Sequence, residues 1–541
     1  MRRALLFPLL AGLGMFEAHA ADVEVTLRLL TPDALEASYM LPPGCRALPF
    51  LKNGRDGDET RSGWQPLDDC GKAGGDTLDR GPQACAALRF RVPAAIEQPG
   101  YPAAFPMGQG LYVHLSNYAV GEGCGKVSYR FEAPWVAAAG QTWRERAQAR
   151  GADASALLLT VAPGQEASGI PSYFDARLSP AAVDHMRKVA NGTIGFLRRA
   201  LPNADYQAPI VGASRVEGPG GPRVGGDAGD VLRLSLYNWP QDPGPHEQAE
   251  LTKLVSHEFS HRFQLRDAVD VYPDARLIHE GGGEFLRWLT SVRQGWMTQA
   301  EAADVLDQAL AKCMLGTGRL RWRDVPPHVA AANGLPYECG LPAYVYLLAT
   351  RQGGGTALGR VDGFYREVRL GTLPDFGRAL ECGTASASCR ARWSAALLDG
   401  DLPMAEQWPL LLRRSGLATP RAPTPAQRDA MVVGAVMQLM RDDCGGRLDS
   451  LAAPDGMILG GMKACKTFSK DAYVTRIEGL PTFGHAGTGA AMAAACSARK
   501  RVTLGLKEGA TLEVPCATPY PLRNVFWHVD IAKVLAALDR E

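Results

Sequence analysis

Two short runs hold the residues whose types and spacing could do chemistry. His257-Glu258-Phe259-Ser260-His261 sets two imidazoles four residues apart, and His279-Glu280-Gly281-Gly282-Gly283-Glu284 sets two carboxylates four apart. On a helix, residues four apart share a face, so His257 and His261 can aim ring nitrogens at one point. Neutral imidazoles are natural zinc ligands, and a catalytic zinc site needs a third protein ligand and one open position. Glu280, eighteen intervening residues beyond His261, is the candidate third ligand. Glu258 projects about 100° around the helix from His257, close to the metal but off its ligand face, which suits a general base. Glu284 shares a face with Glu280 and is the candidate acceptor for a ligand histidine. The competing readings are two unrelated surface helices with stray histidines and, for Glu284, a solvated salt bridge.

These residues need helices to carry them. Leu251, Leu254, Val255 and Phe259 give the first run an apolar helical period. Phe285-Leu286-Arg287-Trp288-Leu289 continues the second run as an apolar helix. Three glycines near its start cost about 1 kcal/mol each relative to alanine. They make sense if this helix approaches the first one closely. Upstream, Ser179-Pro180 reads as an N-cap with proline at the first helical position, opening a helix to about Leu201. Pro209–Gly212 and Val231–Tyr237 are strand candidates, the latter alternating in period two. The glycine-rich stretch Gly218–Gly229 between them lacks Gly-Lys-Ser/Thr, so it reads as a flexible rim loop and not as a phosphate loop.

H-E-x-x-H, eighteen residues and then Glu resembles the gluzincin metallopeptidases, in particular the aminopeptidase N and glycyl aminopeptidase families. His279–Phe285 is similar to their N-E-G-F-A-E-Y segment, with His279, Gly282 and Gly283 as departures. The resemblance covers about residues 170–400. It implies His257, His261 and Glu280 as zinc ligands, Glu258 as base, and a thermolysin-like lobe whose last strand is an edge that aligns substrate. Val231–Tyr237 is the expected edge. Pro336-Tyr337-Glu338-Cys339-Gly340 is similar to the P-Y-E-K-G segment, whose Tyr donates to the developing oxyanion, and that role passes to Tyr337. Tyr344 and Tyr346 read as core. Aminopeptidase N also has G-x-M-E-N upstream, whose Glu holds the substrate α-amine. Gly212-Ala213-Ser214-Arg215 offers no such Glu.

The rest of the chain bounds the setting. Its 541 residues allow two to four domains, and 46% hydrophobic content suits a large core. A net charge of +1 gives no electrostatic case for nucleic acid or an anionic membrane. Residues 1–20 have Arg2 and Arg3, an apolar run and Ala18-His19-Ala20, the three-part pattern of a signal peptide. Stable membrane insertion is not expected, and the protein is expected in the periplasm or secreted. Twelve cysteines in an exported chain read as disulfides. They form three groups of four, Cys45–Cys124, Cys313–Cys389 and Cys444–Cys516, and bridges are expected within each group. Cys313–Cys339 and Cys382–Cys389 are candidate pairs.

Residues 21–165 read as a β-rich domain, with alternation at Val23–Leu29, Leu111–Leu115 and Val127–Phe131 and a loop at about 52–84. His114 reads as a half-buried strand residue. Residues 166–295 form the expected zinc lobe, 296–417 a helical lobe and 418–428 a Pro-rich linker. In 429–541, Asp471–Pro481 resembles the core of bacterial PDZ domains, which the glycyl aminopeptidase family carries at its C-terminus. The expected fold is α+β and multidomain: N-terminal β domain, thermolysin-like lobe, α-helical lobe, PDZ-like domain. The expected function is zinc-dependent peptide-bond hydrolysis, with a peptide or protein substrate and a possible peptide ligand for the last domain. The alternative is a peptide-binding or scaffold protein with a structural or vestigial zinc site. A structural site has no use for Glu258.

Overall fold

The computed structural model describes residues 22–541 apart from 84, 97–99, 167–168, 219–220, 266–268, 333, 385–387, 445–449, 454, 461–464 and 518–519. The signal-peptide segment lies outside the described residues. The chain forms two compact units. One runs to Tyr173 and takes in Gly229–Val231; the other comprises Phe174–Ala228 and Leu232–Glu541.

The first unit is built on a nine-stranded sheet. Val23–Thr31 lies in it parallel to Val127–Ala138 and antiparallel to Ala34–Met40. Alternate residues Val23, Val25 and Leu27 are fully buried, as period-two patterning requires. His114 ends the strand Gly110–His114, buried, with its ring stacked 4.0 Å from that of Tyr101. The stretch expected as loop holds a helix, Gly54–Arg61, and short strands at Gly71–Ala73 and Thr77–Arg80. Tertiary ties order it where local propensity would not. The buried Arg61 guanidinium donates to the carbonyls of Lys52 and Asn117, and the bridges Cys45–Cys124 and Cys70–Cys85 close the segment.

The second unit carries the site. Its helix Pro180–Ala200 is capped by the Ser179 side chain, which accepts from the Ala182 N–H. Ile210–Val216, Val231–Tyr237 and Arg223–Ala228 follow one another across a sheet in that spatial order. This corrects the edge assignment. Val231–Tyr237 lies inside, and the edge is Arg223–Ala228, within the stretch expected as a flexible loop. Gly225 and Gly226 weaken that strand's intrinsic preference, and antiparallel pairing to Tyr237–Leu232 supplies the order.

The H-E-x-x-H helix, Pro245–His261, packs between Pro180–Ala200 and a glycine-bearing helix, Ala275–Arg293. It is buried on more than its apolar face. The hydroxyls of Ser256 and Ser260 satisfy themselves on carbonyls one turn back, at 2.6 and 2.7 Å. Beyond it, Gln299–Thr317, Leu335–Ala349 and shorter helices to Ser415 form the expected helical lobe around a core that includes Trp288, Tyr344, Tyr346 and Trp408.

The end of the chain differs from expectation. Ala418–Arg421, read as linker, is a strand paired with Phe526–Val529. The final helix Ile531–Asp539 then packs on the helical lobe, burying Val534, Leu535 and Leu538 there. Between these lie a six-stranded sheet and two helices, Pro425–Cys444 and Thr488–Arg499. Each later group of cysteines closes within itself: Cys313–Cys339 and Cys382–Cys389, then Cys444–Cys465 and Cys496–Cys516. No helix among the described residues is long and apolar enough to cross a membrane.

Candidate metal centre

The two runs read from the sequence converge. His257 Nε2 and His261 Nε2 lie 2.9 Å apart, and Glu280 Oε2 lies 3.5 and 3.3 Å from them. Donors around a tetrahedral zinc, each at about 2.0–2.1 Å, stand about 3.3–3.4 Å from one another. The three atoms therefore have the spacing of ligands to one small cation. All three residues are buried or nearly so. Burial opposes a charge on His257, but the carboxylates of Glu280, Glu284 and Glu258 outweigh it and raise the imidazole to about 10. Burial also opposes ionisation of Glu280, yet the two imidazoles hold its carboxyl far below the ordinary range. The pocket favours positive charge at its centre, which a divalent ion would supply. This donor set could hold zinc.

Glycines make the convergence possible. A Cβ on Gly283 would stand 2.9 Å from His261 Cε1 and 3.0 Å from His257 Cε1, so the second helix backs directly onto the imidazoles. A Cβ on Gly281 would stand 2.5 Å from the Gly340 Cα of the helix Leu335–Ala349. The close approach expected from the glycine run is real, and it involves two neighbouring helices.

The outer ring nitrogens are also held. His257 Nδ1 lies 2.9 Å from Glu284 Oε1, which in turn accepts from Arg287 Nε at 2.8 Å. His261 Nδ1 lies 2.6 Å from Gln264 Oε1, and Gln264 Nε2 donates to the His279 carbonyl at 2.9 Å. Sequence reasoning reached Glu284 and missed Gln264 and Arg287. Arg287 stands three residues beyond Glu284 on the same helix, which is a signal of spacing; Gln264 falls past the end of the His261 helix and has no such signal.

Glu258 is buried beside the edge strand. A Cβ on Gly226 would stand 2.9 Å from Glu258 Oε1, so a side chain at that position would fill the carboxylate's place. Burial raises the Glu258 carboxyl above its ordinary value, with Asp227 and Glu280 adding to the effect against the two histidines. Asp227, on the edge strand, is engaged by Arg233, whose Nε lies 2.7 Å from its Oδ2.

Tyr337 sits in the first turn of Leu335–Ala349, 37% exposed, with its ring 5.6 Å from that of His257. Burial of its hydroxyl and the neighbouring Glu280 carboxylate keep it protonated far above the ordinary range. It is a donor at any working pH. The Cys313–Cys339 bridge ties this turn to the helix Gln299–Thr317. Tyr344 and Tyr346 are core residues, and the Tyr344 hydroxyl donates to the Ile278 carbonyl at 2.9 Å. A cavity of about 660 Å³ opens from His257, Glu258 and Tyr337 along the H-E-x-x-H helix.

No protein-family model and no curated protein sequence matches the chain. Solved structures do. An aminopeptidase N family protein from Idiomarina loihiensis superposes with a TM-score of 0.57 at 13% identity, over 96% of this chain and 99% of that one. A mutant M1 zinc metallopeptidase from Deinococcus radiodurans overlaps 72% of this chain and 92% of that one, at 12% identity and a TM-score of 0.37. The chain has the α+β fold of the aminopeptidase N family protein, with a β-rich N-terminal part and a helical region.

Proposed function

We propose that the chain is a zinc-dependent peptidase in which His257, His261 and Glu280 hold the metal. The observation that carries this reading is the meeting of three donor atoms, 2.9 to 3.5 Å apart, beside a buried glutamate at the mouth of a cavity. Zinc held there supplies Lewis-acid polarisation of a scissile carbonyl and of water. Glu258 takes the proton of the attacking water and returns it to the leaving amine. Burial raises its carboxyl above the ordinary value, in the direction that suits a group that must both take and return a proton. The Tyr337 hydroxyl donates to the oxygen that gains charge. Glu284 and Gln264 fix the tautomer and orientation of the two imidazoles. The strand Arg223–Ala228 is the edge of its sheet and is the side along which an extended peptide would lie past Glu258. Export, suggested by residues 1–20 and the six bridges, and a PDZ-like character of the sheet domain after Pro425 belong to the same reading.

The test uses mixed synthetic peptides with the purified chain. Cleavage is expected to stop with chelator and return with zinc. Glu258→Gln is expected to keep zinc and lose hydrolysis by at least about 10³-fold. Substantial residual turnover in that variant rules out Glu258 as base, and chelator-insensitive cleavage rules out the metal.

A further inference from the structure

Four helices line the cavity that opens from the candidate metal centre. Pro245–His261, Gln299–Thr317 and Leu335–Ala349 supply three of its sides, and Ala275–Arg293 lays Glu284, Arg287 and Ser291 along the fourth. Those three residues stand three and then four apart, so they form one stripe of the helix. All three are buried, Arg287 with only 3% of its surface exposed.

Arg287 is paired, but not fully. A guanidinium donates from three nitrogens. Glu284 engages two of them: Nε donates to its Oε1 at 2.8 Å, and Nη2 donates to its Oε2. Nη1 has no partner among the described residues, and it is not sealed off from the cavity that Arg287 lines. Buried polar groups are hydrogen-bonded as a rule, so an acceptor belongs on the cavity side of this nitrogen.

Charge and position define that acceptor. Burial opposes the charge on Arg287, but Glu284, Glu338 and Glu250 outweigh it. A further carboxylate beside Nη1 would meet the field of all three, whereas a carbonyl oxygen accepts the N–H without adding charge. Glu284 Oε1, which accepts from Arg287, lies 2.9 Å from His257 Nδ1, so a single carboxylate separates the guanidinium from the imidazole. Successive residues of an extended peptide advance about 3.3–3.6 Å. A chain held with its scissile bond beside His257 and Glu258 therefore brings a neighbouring carbonyl within reach of Arg287.

We propose that Arg287 is a substrate-binding residue whose Nη1 donates to the main-chain carbonyl adjoining the scissile bond. The proposal rests on the peptidase reading above and adds a recognition element for the peptide backbone. It favours substrates with a second carbonyl next to the cleaved bond, whatever their side chains.

The experiment uses one cleavable peptide and two analogues. In each analogue an alkene replaces the amide that precedes or follows the scissile one, which keeps the shape and removes the carbonyl. In the wild type, one of the two replacements is expected to lower kcat/KM by about 10–100-fold, the range for a hydrogen bond to a charged group. In Arg287→Lys, which leaves Glu284 a cation but withdraws the planar fork, that ratio is expected to fall to about one. Zinc content and melting temperature are read on the same samples, and Arg287→Met/Glu284→Gln repeats the comparison without a buried unpaired charge. A second readout needs no turnover. By calorimetry, Glu258→Gln is expected to bind the parent peptide more tightly than the same analogue, and Glu258→Gln/Arg287→Lys is expected to bind the two alike. A structural role for Arg287 lowers all three peptides together and leaves the ratio unchanged, which overturns the proposal and leaves the peptidase reading standing. A preference for glutamate beside the cleaved bond that disappears in Arg287→Lys, with neither alkene costly, overturns it in favour of a side-chain carboxylate. Failure of the wild type to cleave any peptide overturns both readings.

Discussion

At the residue scale, the site is a set of short contacts that no single residue explains. His257 and His261 need Glu284 and Gln264 behind them, and Glu258 needs Gly226 beside it. The motif spacing was legible in the sequence because a helix makes it local. Gln264 and Gly226 were not, because their roles depend on contacts the chain makes only after folding, whereas Arg287 is local to Glu284, three residues on along one helix. Tyr337 is a sharper test of roles. Tyr337→Phe removes a donor without changing shape, so kcat is expected to fall about 10²–10³-fold while KM and zinc content hold. An unchanged kcat makes Tyr337 a structural residue.

At the element scale, the glycine-bearing helix sets the geometry. Gly283 faces the two imidazoles and Gly281 faces the backbone of Leu335–Ala349, so their substitutions should separate. Gly283→Ala is expected to weaken zinc binding, because its Cβ displaces the ligand rings. Gly281→Ala is expected to destabilise the fold by about 1–3 kcal/mol through helix–helix overpacking. Competition with a chelating dye and a denaturant midpoint distinguish the two. Wild-type zinc affinity in Gly283→Ala contradicts the account. The same scale holds the main misreading. Arg223–Ala228 was hidden because two interior glycines erase the side-chain alternation by which strands are read, and only pairing with Val231–Tyr237 makes it an edge. Gly212-Ala213-Ser214-Arg215, which carries no carboxylate, lies on the inner strand Ile210–Val216; the edge strand carries Asp227, already paired with Arg233.

At the scale of the whole molecule, the second unit is closed by its own C-terminus. Asp307, on the helix that walls the cavity, accepts from the Val529 N–H at 2.8 Å and lies 3.2 Å from His528 Nδ1. Burial, with Asp304 nearby, raises its carboxyl to about 7 against the opposing Val529 N–H and Arg421. That folded value lies above the unfolded value of about 4. The stability Asp307 contributes is therefore complete below about pH 4 and is lost as pH rises through about 7. Asp307→Asn keeps an acceptor and cannot ionise. Its melting temperature relative to wild type is expected to climb between pH 4 and 8; a constant difference contradicts the burial argument. This closure could not be read ahead, since Ala418–Arg421 looks like a linker until Phe526–Val529 pairs with it. The cysteine grouping was readable, because each bridge stays inside a segment that folds together.

X-ray absorption at the zinc edge of the zinc-loaded chain tests the central claim most directly. The account predicts one ion per chain with two imidazole nitrogens at about 2.0–2.1 Å, carboxylate oxygen and a solvent oxygen, and loss of the oxygen pattern in Glu280→Ala. Sulfur in the first shell, or a spectrum indifferent to Glu280→Ala, would place the metal elsewhere and remove the basis for hydrolysis at this site.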